Sequence, residues 1–120
     1  MKTLLPILSA LADESRLRAF LLLRDQELCV CQIIAVLGLS PSTVSRHMTL
    51  LYQAGLVERR KEGKWHYYRI AAAKATSVIG RAVRLVLDGA GEDPQVKADL
   101  KRCCGVQKKE LTEVCACYRS

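Results

Sequence analysis

The residues with the most chemical potential in this sequence are its six cysteines, and they stand in three close pairs: Cys29 with Cys31, Cys103 with Cys104, and Cys115 with Cys117. Cysteines that only fill a core have no reason to pair along the chain. Paired thiols suit a soft metal or metalloid ion, which thiolates prefer, or a thiol–disulfide couple. Structural disulfides are a weaker reading, because nothing at the start of the chain looks like an export signal. The opening MKTLLPILSALADESR has a short apolar stretch interrupted by Pro6, Asp13, Glu14 and Arg16, too short to span a bilayer. It reads instead as an amphipathic helix, with Leu4, Ile7, Leu8 and Leu11 on one face. The expectation is a cytoplasmic protein without membrane association, in a compartment that keeps thiols reduced.

Other reactive groups are sparse. The two histidines, His47 and His66, both lie in the middle of the chain. There is no glycine-rich phosphate loop, no carboxylate pair matched to a nucleophile, and no Cys/His arrangement suited to catalysis, so neither an enzyme nor an organic cofactor is expected. Basic residues outnumber acidic ones by 19 to 12, a net charge of +7, with a pI near 9.3. That balance points to a polyanionic partner, of which nucleic acid is the leading candidate. With 120 residues, half of them hydrophobic, the chain has room for one core. A core this small leaves apolar surface uncovered, which a dimer would bury.

The elements that must position the thiols and the positive charge follow from periodicity and punctuation. A helix over 4–12 is followed by a second that Asp13 can cap, with Leu17, Phe20 and Leu21 inward. A third, over 29–37, turns Val30, Ile33, Ile34 and Leu37 inward and stops at Gly38. Ser40 then caps a fourth helix, with Pro41 at its first position, running to Ala54. Two helices joined by the turn from Gly38 to Pro41 form a helix-turn-helix. On the fourth helix Val44, Met48 and Leu51 share the inner face. Ser42, Ser45, Arg46, Thr49 and Gln53 share an outer face that carries no acid, which suits an approach to the DNA major groove. Two extended runs, 56–61 and 64–70, flank Glu62-Gly63 and read as a hairpin with Arg59, Arg60, Lys61 and Lys64 around its tip. A basic hairpin after a recognition helix is a wing that can reach phosphates or the minor groove. A long helix is expected over 71–88, with Ile79, Ala82, Val83, Val86 and Leu87 as its apolar stripe. Helical potential is also present over 95–104 and 108–117. The fold class is mostly α with a small β-hairpin: a winged helix-turn-helix domain over 1–91, then a cysteine-bearing C-terminal tail over 92–120.

The segments ALADESRLRAFLLL and LSPSTVSRHMTLLYQAGLVERRKEGKWHYYRI strongly resemble the ArsR family of bacterial metal-sensing repressors, over roughly residues 4–90. The resemblance implies a homodimer joined through the first helix and the helix after the wing, with the fourth helix in the major groove of double-stranded operator DNA. It also implies release of the operator when an ion binds. The positions it assigns to DNA contact are Ser42, Thr43, Ser45, Arg46 and His47 on the helix and Lys61 and Lys64 on the wing. His47 has a plainer reading as a structural histidine that orients the helix. The segment ELCVCQI resembles the ELCVCDLC motif of arsenic-sensing members. Cys29 and Cys31 match its first two ligands, and Ile34 replaces the third. Family members that sense zinc do so through His and Asp on the dimer helix. Asp88 is present here, but no histidine follows it.

The expected inducer is therefore As(III), with Sb(III) as a second metalloid of the same chemistry. Trivalent arsenic takes three thiolates. Cys29 and Cys31 on one regular helix would diverge, so the start of that helix must distort for them to converge. A further thiolate has to come from Cys103, Cys104, Cys115 or Cys117, either completing the Cys29/Cys31 site or forming a site within the tail. The alternatives are a repressor of the same fold responding to Cd(II), Pb(II) or Zn(II), a thiol-redox repressor, and a metal-buffering protein. The plain alternative for Cys29 and Cys31 is a pair of small buried hydrophobes.

Overall fold

The structure, a computed structural model, describes residues 1–108; Cys115, Cys117 and most of the expected helix over 108–117 lie outside the described residues. In chain order the elements are α1 (Leu4–Leu11), α2 (Glu14–Leu22), β1 (Leu28–Cys29), α3 (Val30–Leu37), α4 (Pro41–Gln53), β2 (Val57–Glu62), β3 (Trp65–Ile70), α5 (Val78–Ala90) and α6 (Pro94–Gln107).

Helix starts are fixed by side-chain caps that satisfy backbone N–H groups the helix itself cannot. Asp13 accepts from the Arg16 N–H at 3.0 Å, Ser40 from Thr43 at 3.2 Å, and Asp93 from Gln95 at 2.8 Å. Gly38 ends α3 in the left-handed conformation, φ +70°, which a side chain would oppose. α3 and α4 thus form the expected helix-turn-helix.

The sheet has the order β1-β3-β2, antiparallel throughout. Val57 pairs with Ile70 and Glu62 with Trp65, so the hairpin turns through Gly63-Lys64 and not Glu62-Gly63. Gly63 has φ +63°, as the first central position of a two-residue hairpin turn of this hand demands. The short β1 adds Leu28 opposite Tyr68 and Cys29 opposite Tyr67, joining the wing to the entrance of α3.

The helix expected over 71–88 begins later, at Val78. The chain leaves β3 still extended: the Ala71 N–H donates to the Leu56 carbonyl at 3.0 Å, and the Ala72 N–H reaches Glu58 Oε2 at 3.4 Å. The helical preference of this alanine run is overridden by tertiary partners. Ser77 starts the helix by accepting from the Gly80 N–H at 3.0 Å.

The core gathers Phe20, Leu21, Leu22, Leu28, Ile33, Val36, Val44, Met48, Leu51 and Leu56, all fully buried. α6 packs against α2 and α3 and adds Val96 and Cys103 to this core. Arg18 grips Asp99 through two hydrogen bonds, Nε to Oδ2 at 2.8 Å and Nη2 to Oδ1 at 2.9 Å. Gln95 donates to Asp99 Oδ1 at 3.0 Å, and Arg102 donates to the Val36 carbonyl at 2.9 Å. The neighbouring helices α1 and α5 leave Leu4, Leu5, Leu8, Val78 and Leu85 exposed.

Candidate nucleic-acid interface and thiol centres

α4 presents its polar face outward. Ser42, Ser45 and Arg46 are exposed and Thr43 is half-buried, while Val44, Met48 and Leu51 anchor the helix from beneath. The Thr43 and Ser40 hydroxyls lie 2.7 Å apart, so the cap also orders the first turn of this face.

His47 is turned the other way. It is buried, 8% exposed, with Nδ1 at 3.3 Å from an Arg16 Nη1. Arg16 also donates to the carbonyls of Ala10 at 2.7 Å and Ser9 at 3.2 Å, both in the last turn of α1. One guanidinium thereby ties the end of α1 and the start of α2 to the back of the recognition helix. Burial holds the His47 imidazole below its ordinary pKa; Asp13 opposes that shift, and Arg16 and Arg46 reinforce it. His47 thus lies on the back of α4 beside Arg16 and is not part of its exposed face.

The wing separates into two kinds of cation. Lys61 and Lys64 are exposed toward the tip. Arg60 instead spans Glu27 and Glu62, at 2.7 and 2.9 Å, and lies 4.4 Å over the Tyr67 ring. Arg59 lies 4.2 Å over the Tyr52 ring. Lys64 Nζ keeps a looser contact, 5.8 Å from the centre of the Trp65 ring. The sequence shows four positive charges near the tip but not that the two arginines are held closely by rings and, at Arg60, by carboxylates.

The thiols occupy two settings. Cys29 is fully buried and belongs to β1 while serving as the N-cap of α3, in an extended conformation with φ −71° and ψ 147°. Its N–H donates to Gln32 Oε1 at 2.9 Å, one half of a capping box. Cys31 lies in the first turn of α3, partly exposed. The regular helix expected to hold both cysteines is therefore already broken between them. Cys103 is buried in α6, with Gln26 Nε2 3.8 Å from its sulfur. Burial, and then the neighbouring Cys104, push its thiol pKa up, against the Gln26 hydrogen bond. Cys104 is exposed. Among the described residues no group of three potential ligands is gathered in one place, so Cys29, Cys31, Cys103 and Cys104 do not by themselves form a three-thiolate site.

Residues 13–59, from the α2 cap into the wing's first strand, match the family model described as "Bacterial regulatory protein, arsR family". The arsenical resistance operon repressor of Escherichia coli (strain K12) is 44% identical over 90 residues, covering 70% of this chain and 77% of that protein. This chain belongs to the arsR family. Another relative, the cadmium resistance transcriptional regulatory protein CadC homolog of Staphylococcus aureus, is 34% identical over 77 residues, and the chain spans 64% of its length. A solved structure, the homodimeric winged helix-turn-helix DNA-binding domain Mb0332 from Mycobacterium bovis, superposes with a TM-score of 0.63 at 33% identity, covering 78% of this chain and 82% of that one. The fold of this arsR-family protein is accordingly the winged helix-turn-helix, a fold of DNA-binding transcriptional regulators and not of enzymes. No helix among the described residues is long and apolar enough to cross a membrane.

Several residues that organise these sites carried no signal in the sequence: Arg16 behind α4, Glu27 beside Arg60, and Arg18 with Asp99 under α6. Each acts through a partner distant along the chain, although Arg16 and Arg18 lie within ALADESRLRAFLLL and Glu27 begins ELCVC.

Proposed function

We propose that this protein is a homodimeric repressor that leaves its operator when a soft trivalent metalloid, As(III) or Sb(III), is held by thiolates that include Cys29 and Cys31. The observation that carries this reading is the position of Cys29. One residue both pairs with the wing strand β3 and caps the first helix of the helix-turn-helix. A thiol at that joint can bias both DNA-reading elements together. Such an ion demands three thiolates, which the described residues do not assemble, so holding it requires the Cys29 cap to open. The remaining thiolate comes from the segment after α5, whose helix α6 packs on α3.

In this reading Ser42, Thr43, Ser45 and Arg46 face the major groove, Lys61 and Lys64 meet the DNA backbone, and His47 positions α4. The exposed leucines of α1 and α5 supply the dimer surface, consistent with the homodimeric state of the related M. bovis domain. The ions named in its relatives, arsenic and cadmium, are both thiophilic. Coupling of about 1–3 kcal/mol between ion and DNA is sufficient, equivalent to roughly 5–150-fold weaker operator binding.

The test is fluorescence anisotropy of the reduced protein on its own promoter DNA, with arsenite, cadmium, zinc and peroxide titrated separately. Release by arsenite at low concentration, abolished in Cys29→Ser and Cys31→Ser, is expected. Release by cadmium alone or by peroxide alone would assign the thiols to a four-thiolate or a redox response instead.

A further inference from the structure

The wing carries a charge cluster that DNA binding does not explain. Arg60 donates from Nε to both Glu27 carboxylate oxygens, at 3.0 and 3.1 Å, and from Nη2 to Oε1 at 2.7 Å. A third edge reaches Glu62 at 2.9 Å. The guanidinium also stacks on Tyr67, the residue directly opposite Arg60 in the β2–β3 ladder. Tyr67 is in turn directly opposite Cys29 in the β1–β3 ladder. Directly paired residues of an antiparallel sheet project to the same face. Cys29, Tyr67 and Arg60 thus form one row across three strands. Glu27, two residues before Cys29, shares that face by alternation and closes the row back onto Arg60.

A two-residue strand is a weak attachment. β1 pairs with β3 through Leu28 and Cys29, and short edge pairings open readily. The Glu27–Arg60 pair adds a forked, planar, charge-assisted contact at the end of β1, the geometry in which arginine outperforms lysine. An arginine shared between two carboxylates and a ring is a poor candidate for a phosphate contact, because DNA would have to displace all three.

We infer that Arg60, with Glu27 and Tyr67, is a latch that fixes the Cys29 cap to the wing, and that Arg60 is a positioning residue and not a phosphate contact. While the latch is closed, Cys29 stays buried and the wing keeps its angle to α4. Opening the Cys29 cap strains the latch, and the strain reaches β2 through Arg60. The consequence for induction rests on the thiolate reading proposed above; the latch itself does not.

Two measurements on the full-length reduced protein test it. The first is the alkylation rate of each cysteine with N-ethylmaleimide, read by mass spectrometry, with buried Cys103 as the internal control for global unfolding. In Glu27→Gln and in Arg60→Gln the Cys29 rate rises about fivefold, the upper range for a well-formed exposed ion pair, and the Cys103 rate stays within about twofold. The reversed pair, Glu27→Arg with Arg60→Glu, returns the Cys29 rate toward wild type. An unchanged Cys29 rate in both single variants overturns the latch. If either variant raises both rates together, the reversed pair and Tyr67→Leu decide: a latch requires rescue by the first and selective Cys29 exposure in the second. The other measurement is the salt dependence of operator binding. Arg60→Gln leaves the slope of log K against log salt unchanged, whereas loss of a phosphate contact lowers it by about 0.9, and that fall would refute the positioning role. With arsenite added, both single variants lose at least about threefold of the release seen in wild type, a fraction of the usual coupling range. Wild-type protein that ignores arsenite removes the thiolate reading, and the Cys29 rates still decide the latch.

Discussion

The two described thiol pairs sit on the same small core but in opposite mechanical situations. Cys29 and Cys31 lie at a joint, where β1 meets the wing and α3 begins, and a buried thiol doubles as a helix cap. Cys103 and Cys104 lie on α6, which is bolted to α2 and α3 by the Arg18–Asp99 fork and the Arg102–Val36 bond. The first pair is attached to elements that face DNA through short, local contacts. The second is attached to the core through a charge pair with one partner fully buried. The difference teaches where movement is cheap: a cap and a two-residue strand yield before a packed helix does.

The comparison breaks most visibly on the α6 side. Arg18→Ala leaves Asp99, 2% exposed, with the Gln95 amide as a hydrogen-bond donor but no cation beside it. The expected loss is about 3 kcal/mol of folding stability in urea denaturation, in the range for breaking a buried pair from one side. A loss under about 0.5 kcal/mol would mean that α6 is held by its apolar contacts alone, as for an ordinary surface pair.

The next largest effect falls at the joint. Cys29→Ser is expected to leave operator affinity within about threefold while removing the whole inducer coupling, about 1–3 kcal/mol. Alkylation of the wild-type protein probes the other pair. The Cys104 thiol is exposed and that of Cys103 is buried with a raised pKa, so limited alkylation near neutral pH modifies Cys104 well before Cys103. Equal rates would place α6 in an open equilibrium and erase the distinction between the two regions.

The smallest effect concerns the support of α4. The His47 pKa is depressed in the folded protein, chiefly by burial, relative to about 6.5 in the unfolded chain. Between those two values the unfolded state binds more protons. The stability that neutral His47 provides is therefore fully present above about pH 6.5 and is lost as pH falls through the folded-state pKa. Thermal midpoints measured from pH 7.5 down to 5.5 should decline, and His47→Gln should flatten that decline. An unaltered slope would shift the pH dependence to other groups.

Much of the DNA-reading frame was legible in the sequence because its signals are local. Ser40-Pro41 announces the start of α4, Gly38 the end of α3, and the Val44, Met48 and Leu51 spacing names the buried face. The alanine run at 71–73 misled because helix propensity is weak beside the Leu56 carbonyl and the Glu58 carboxylate that claim its N–H groups. The Cys29 cap was hidden because cysteine is not a residue that signals a helix start. Arg18 and Asp99 are 81 residues apart, and Glu27 and Arg60 are 33 apart. No periodicity announces such pairs; only the folded chain brings them together. Lys61 and Lys64 could be told from Arg59 and Arg60 only once the glutamates and tyrosines beside those arginines were in place.

Whether Cys29 and Cys31 couple a soft ion to the release of DNA is decided by arsenite titration of the reduced protein on its promoter DNA, followed by anisotropy in wild type and Cys29→Ser side by side. Wild type is expected to lose roughly 5–150-fold in operator affinity, while the variant stays bound throughout. Equal release of both proteins would contradict that coupling and move the site away from the α3 joint.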